Sequence, residues 1–422
     1  MTASAHPAES VLAGLAGIRA WQEGLYRDLH QHPELSHQEL RTAQLVVDRL
    51  GDFGYRVHAG IGGTGVVGIL DNGPGPTVLL RADMDALPVK EATGLPYAST
   101  ARSADAQGHD VSVMHACGHD IHVTALLGAA QLLAQGRDHW HGTVVALFQP
   151  AEETGDGARA MVEDGLASVL PKVDAAFAQH VFPIPAGIIG THSGPFLASA
   201  DSMRITVHGR GSHGSMPQSS VDPVVLAAMI VVRLQTIVSR EVAPVEPAVL
   251  TVGSIEAGSK SNVIPDHAVL QLNIRTYNDQ TRTTILDAIR RIVTAECAAS
   301  GSPREPEFVL FDRFPVTVND IETTARVRAA FSAFFGDKCW DMPEGTGSED
   351  FGEIPSALGV PYTYWGVGGI DAATYQKAVA AGRVLEDIPV NHSPGFAPVI
   401  QPTLDAATSA LVVATMPWLA PQ

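Results

Sequence analysis

Cys117 and His119 stand two residues apart in MHACGHD, residues 114–120, with Asp120 directly behind them. A thiolate and an imidazole are ligands for a soft divalent cation, and in an extended segment this spacing points both side chains the same way. The pair alone says little, since a buried cysteine near a histidine is more often core filling. Further groups of the same chemical kind follow short apolar runs that read as buried strands. TVLLRADMD at 77–85 ends in Asp83 and Asp85, TVVALFQPAEE at 143–153 in Glu152 and Glu153, and VDAAFAQHV at 173–181 in His180, while NHSPGF at 391–396 offers His392. In open α/β sheets, side chains just beyond the carboxyl ends of the strands converge on one site. Two adjacent carboxylates can divide labour there, one binding a cation and the other moving the proton of an activated water. A lone Glu-Glu pair is usually a solvated loop; in this company it points to hydrolysis.

The elements that must position these groups follow from the patterning. Helical periods alternate with short β-rich runs up to about residue 195, the sign of βαβ units and a largely parallel sheet. Between 198 and 312 the order becomes β, α, β, β, α, β, from SMRITVHGR to EPEFVLFDRF, which matches the split βαβ ferredoxin-like unit. An α/β chain is therefore expected. Residues 1–197 and 313–422 would build a mixed, largely parallel sheet domain, and 198–312 an inserted α+β domain, which accounts for the distance of His392 from the other ligands.

The 422 residues and 45% apolar content suit two or three domains with a sizeable core. With Lys+Arg 27 against Asp+Glu 45, the formal charge of −18 argues against nucleic acid or an anionic membrane as partner. An anionic small substrate stays open if metal ions and a few arginines make the pocket locally positive. Three cysteines without paired spacing predict a reducing, cytoplasmic setting. Residues 1–21 read as an ordinary first helix rather than a signal peptide, and no uncharged apolar run of 18 residues predicts a membrane span.

Other motifs carry less. Gly60, Gly62 and Gly65 spell GxGxxG, but VVGILDNGPGP follows where a dinucleotide site needs a helix. GxSxG, HExxH and GxxxxGK[ST] do not occur. The histidines of LHQHPELSHQE at 29–39 scatter around several helical faces, which predicts surface or supporting roles.

Taken together, the chain resembles the metallo-aminoacylase and carboxypeptidase family with a co-catalytic metal pair. The branch it matches holds hippurate hydrolases, bacterial N-acyl-amino-acid amidohydrolases and plant indoleacetyl-amino-acid hydrolases. The similarity runs from HPELS at 32–36 through RADMDALP, MHACGHD, AEET, NVIP and GSEDF to NHSPGF, nearly the whole length. The resemblance implies that Cys117, His119, Glu153, His180 and His392 bind two divalent metal ions per subunit, that Glu152 is the general acid/base, and that Asp85 orients a ligand. The wider family carries a His where this chain has Asp83; in this branch His119 fills the vacancy and Cys117 replaces a bridging carboxylate.

The inserted domain is implied to serve as lid and dimerisation domain. Its His213, in GRGSHGSMP, would stabilise the oxyanion, reaching the site from the partner subunit of a homodimer, although on pattern alone it is a turn histidine. Asn262 and Arg275 fall at positions that hold the substrate carboxylate or carbonyl. An Arg fork suits a carboxylate, while an alternating strand can equally expose an Arg to solvent. Gly347, in GTGSEDF, would present backbone amides to the ligand.

The implied reaction is cleavage of the amide of an N-acyl amino acid into a carboxylic acid and a free amino acid by a metal-activated water. A dipeptidase or another amide hydrolase of the family is the alternative. A thiolate and several imidazoles favour Zn²⁺, with Mn²⁺, Co²⁺ or Ni²⁺ open. Two other classes compete: a thiol amidase with Cys117 as nucleophile, and a non-catalytic metal-containing binding protein.

Overall fold

Thr77–Asp83 and Tyr362–Ile370 are buried at every residue, as strands must be when a sheet is covered on both faces. In the computed structural model, which describes residues 6–421, they belong to an eight-stranded sheet. Gly142–Gln149, Thr77–Asp83, Ala175–Pro185 and Tyr362–Ile370 lie side by side in that order, all parallel. Chain order departs from spatial order at Thr77–Asp83: the next strand of this set lies to one side of it and the one after to the other. That reversal is the kind of switch point at which α/β sheets bind ligands. Helices His119–Gln135 and Ile400–Leu419 pack on the sheet and on each other.

An antiparallel hairpin, Arg56–Ile61 with Gly65–Asn72, extends one edge. It accounts for the glycine motif, since Gly60 and Gly62 take positive φ for the turn and a strand, not a helix, comes next. The N-terminal helix reading covers two helices, Ala8–Leu12 and Leu15–Gln31; its residues 1–5 lie outside the described ones. The strand expected to end at His180 runs on to Pro185.

This sheet forms a unit of residues up to Phe196, Val318–Glu344 and Asp350 onward; Leu197–Thr317 and Gly345–Glu349 form a second. The segment 345–349 thus groups with the smaller unit rather than with the sequence around it. That unit carries Ser199–His208, Ala248–Glu256, His267–Thr276 and Glu307–Phe314, with helices Pro223–Arg240 and Asp279–Ala299. The strands pair antiparallel with His267–Thr276 and Ser199–His208 in the middle, the ferredoxin-like order. Asp222 accepts from the N–H groups of Val224 and Val225 ahead of Pro223, and Asn278 from those of Gln280 and Thr281, so each helix start is capped.

Pro223–Arg240 is long and apolar enough to cross a membrane by length and composition, with mean hydropathy 1.5. It instead buries Leu226, Ala227, Ile230, Leu234 and Ile237, a helical stripe, in this unit's core.

Candidate metal centre

Cys117 and His119 do not sit in an extended segment. Gly118 between them has φ +84°, and His119 opens the helix His119–Gln135. A left-handed turn, cheap only for glycine, therefore brings the two side chains together, and alternation along a strand plays no part.

The structure gathers the remaining candidates of this unit around them. Cys117 Sγ lies 3.4 Å from His180 Nε2 and 3.2 Å from His392 Nε2. His392 Nε2 is 3.3 Å from Glu153 Oε2, and His119 Nε2 is 3.8 Å from Glu153 Oε1 and 3.9 Å from Glu152 Oε2. Ligand atoms bonded to one tetrahedral ion at about 2.0–2.3 Å stand roughly 3.3–3.8 Å apart, so these spacings fit coordination. Three sets, Cys117 with His119 and His180, Cys117 with Glu153 and His392, and His119 with Glu152 and Glu153, each fall within 4.8 Å and share members. Shared members are what two neighbouring ions require.

Donor atoms of the metal-ligand kind face the centre. His180 Nδ1–H donates to the Val181 carbonyl at 2.9 Å, which leaves Nε2 as an acceptor aimed at the thiol. His119 Nε2 and Glu153 Oε1 are buried without a hydrogen-bond partner. Buried orphans of this kind are costly, and a cation satisfies both. The residues present therefore fit a metal centre.

Burial pushes the Cys117 thiol well up, and the charges of Glu153, Glu152 and Asp83 push it further. Burial works against a charged His119, but Asp83, Asp85 and Glu153 outweigh it and raise that imidazole to about 10. His180 is driven well down by burial and by His122. The carboxylates that shift Cys117 and His119 are the negative charge that a bound cation would balance.

Residues 79–387 match the model of Peptidase family M20/M25/M40. The chain belongs to this family. Thermostable carboxypeptidase 2 of Saccharolobus solfataricus is 39% identical over 339 residues, 79% of this chain and 82% of that protein. Hippurate hydrolase of Campylobacter jejuni is 39% identical over 336 residues, 78% of this chain and 84% of its own. The crystal structure of Bacillus subtilis YxeP, a dinuclear metal-binding M20 peptidase, superposes with TM-score 0.74 at 30% identity, covering 94% of this chain and 98% of that one.

Around the centre of this M20 chain, buried polar groups fix the candidate ligands. Asp85 accepts the N–H groups of Glu152 (3.1 Å) and Glu153 (3.0 Å) and the Ser36 hydroxyl (2.7 Å), and lies 3.3 Å from His119 Nδ1. Burial would raise Asp85, yet His119 and these donors hold it below the usual carboxylate range. Asp83 is gripped by Arg81 Nη1 at 2.7 Å and by His122 Nδ1 at 2.5 Å. His122 Nε2 accepts the Val181 N–H at 2.9 Å, so its proton sits on Nδ1 and its one lone pair is already used. His122 therefore supports the strand that carries His180, although with Asp83 and His119 it forms another metal-type cluster. Arg81 also bonds Gln149, and Asp350 accepts from Gln149 and from the Ala158 N–H.

Sequence reasoning singled out neither His122 nor Arg81. Arg81 had a signal, a charge inside a run that otherwise reads as fully buried. His30, in the histidine-rich stretch, is buried between Asp120 (2.7 Å) and Glu91 (3.1 Å), while His32 and His37 are exposed.

The four other candidates lie in the smaller unit, in two pairs. His213 is exposed, its Nδ1 2.7 Å from the Ser215 hydroxyl, in a short strand that pairs with Val263–Ile264 beside Asn262. The Gly214 N–H donates to the Asn262 carbonyl. Arg275 donates to the Thr346 carbonyl (2.7 Å) and the Ser348 hydroxyl (3.2 Å), on either side of Gly347, whose carbonyl accepts the Ala198 N–H.

Proposed function

We propose that this M20-family enzyme hydrolyses the amide bond of N-acyl amino acids, using two divalent metal ions held by Cys117, His119, Glu153, His180 and His392. The observation that carries the reading is the set of donor atoms spaced 3.2–3.9 Å apart, from exposed His392 to buried His119, with His119 Nε2 and Glu153 Oε1 left orphaned. When bound, the metal pair lowers the pKa of a water and polarises the scissile carbonyl. Glu152 takes the proton from the attacking water and delivers it to the departing amine nitrogen. Asp85 keeps His119 oriented and holds the backbone of Glu152 and Glu153 in place. Zn²⁺ suits the thiolate and imidazoles best, and Mn²⁺, Co²⁺ and Ni²⁺ are the ions to compare with it.

Arg275, with the Gly347 segment it holds, recognises the substrate carboxylate, Asn262 contacts the carbonyl, and His213 stabilises the oxyanion from the partner subunit of a homodimer. Support for the homodimer comes from the smaller unit, which exposes Val224, Val225, Met229 and Val232 on Pro223–Arg240, and Val249 and Ile255 on the edge strand Ala248–Glu256. Cys117, Cys297 and Cys339 are all free thiols, which supports a cytoplasmic setting. The relatives' names point both to N-acyl amino acids and to peptides, so dipeptides belong in any substrate panel.

The deciding experiment measures primary amine released from N-acyl amino acids and dipeptides by metal-replete protein, with and without a strong chelator. Chelator-sensitive release is expected, and Glu152→Gln should lower kcat by about 10²–10⁴-fold with bound metal retained. Full activity in Glu152→Gln would refute the mechanism. Release that ignores chelators but is abolished by alkylation would establish Cys117 as a nucleophile, a role its raised pKa opposes. Ligand-induced thermal shifts without turnover would mark a binding protein.

A further inference from the structure

Four non-glycine residues take positive φ among the described ones, and one of them, Ala151 at +51°, immediately precedes Glu152. An L-residue holds that conformation only where its surroundings enforce it. Here the enforcing group is Glu39. Its Oε1 accepts the N–H of Ala151 at 2.9 Å and that of His37 at 2.9 Å, and its Oε2 accepts the Thr64 hydroxyl at 2.6 Å. The Ala151 carbonyl is pinned as well, by the Gly157 N–H at 3.1 Å.

Glu39 is fully buried, and its hydrogen-bond donors are all neutral, an expensive environment for a carboxylate. Helix capping does not explain it. Glu39 stands at the N-cap of Leu40–Asp52 without a side-chain cap bond, and Glu34 takes the N–H groups of Arg41 and Thr42 instead. The side chain is thereby free to reach a turn 112 positions away in sequence.

We infer that Glu39 is a positioning residue for Glu152: it holds Ala151 in the left-handed conformation that turns the chain out of the strand Gly142–Gln149 and aims the Glu152 carboxylate into the centre. Asp85 secures the next two amides, so successive N–H groups from Ala151 to Glu153 are held by two buried carboxylates. The inference rests on the role proposed for Glu152.

Steady-state kinetics and bound-metal analysis of Glu39→Ala, Glu39→Gln and Glu39→Asp, and of Ala151→Gly combined with Glu39→Ala, test it. Glu39→Ala should lose kcat by about 10²-fold, the scale of an ångström-sized misplacement, with KM and bound metal little changed. Glu39→Gln should regain most of that loss, because its amide oxygen can accept both backbone N–H groups while its NH₂ faces the Thr64 hydroxyl. Adding Ala151→Gly to Glu39→Ala should recover kcat in part, since glycine adopts this φ unaided. If Glu39→Ala does not fold, Glu39→Asp replaces it, and should be slower than Glu39→Gln because the acceptor is withdrawn although the charge is kept.

Parental kcat in Glu39→Ala, a loss that tracks bound metal, or Glu39→Asp outperforming Glu39→Gln would overturn the inference. Glu152→Gln measured in parallel separates the two claims. An active Glu152→Gln sinks the base assignment, whereas an inactive one beside a fully active Glu39→Ala sinks only the role of Glu39.

Discussion

Both units bury carboxylates, and they treat them oppositely. In the smaller unit, Asp201 is buried and fully answered: Arg282 Nε and Nη2 donate to its two oxygens at 2.6 Å each, over a core that is otherwise almost wholly apolar. At the ends of the parallel strands of the larger unit, Asp83, Asp85, Glu152 and Glu153 crowd around His119, and Glu153 Oε1 and His119 Nε2 are left without a hydrogen-bond partner. Satisfied charge holds a fold in register, whereas an unsatisfied carboxylate beside imidazoles fits a cation. The difference follows from the sheets. His267–Thr276 alternates buried and more accessible residues as a one-sided antiparallel strand does, while Thr77–Asp83 is buried throughout, so its charged groups Arg81 and Asp83 gather toward the carboxyl end and are paired there.

Matched cysteines give the largest expected contrast. Cys117→Ser should abolish most metal binding and activity together, measured as metal per subunit and turnover. Cys297→Ser, deep in the apolar core of the smaller unit, should lower stability by about 1–3 kcal/mol and leave metal stoichiometry intact. Equal metal loss in both would erase the distinction.

Next comes His122→Ala, which frees the Val181 N–H and loosens Asp83. A 10–100-fold weakening of metal affinity is expected, roughly the value of partners that orient ligands, read by competition with a chromogenic chelator. Arg282→Ala should destabilise the protein by about 3 kcal/mol, because Asp201 stays buried without its fork; thermal melting checks it, with metal content unchanged.

The smallest effect is a pH slope. Burial would lower His30, but Asp120 and Glu91 raise it to about 10. Its folded pKa thus lies above the unfolded value of about 6.5. The stability it supplies is complete below that value and is lost as pH rises through about 10. The melting temperature should fall over that window, and His30→Gln should flatten the fall. An unchanged slope in that variant would assign the alkaline loss elsewhere.

The candidate donors Asp83, Asp85, Glu152, Glu153 and His180 were legible because they lie at the ends of apolar runs whose carboxyl ends had to meet, and the βαββαβ order of the inserted unit was legible because antiparallel strands alternate. The geometry of Cys117 and His119 is not legible in the sequence, since nothing in CGH announces that Gly118 turns left-handed and that a helix begins at His119. His122 and Glu39 carry no such signal, because the contacts that tie them to the site, to the backbone amides of Val181 and Ala151, join residues distant in sequence and leave no side-chain signature at the amide.

The sequence by itself determined which donor atoms this protein owns, because thiol, imidazole and carboxylate are properties of residue type, and which strands deliver them, because hydropathy has a period. Only the tertiary structure decided which lone pairs remain available. His122 and His180 are the same side chain a few ångströms apart, with ring centroids at 4.6 Å. One spends its Nε2 on a backbone N–H, and the other anchors Nδ1 on a carbonyl and turns Nε2 to the centre. A lone pair has no address until the chain around it has folded.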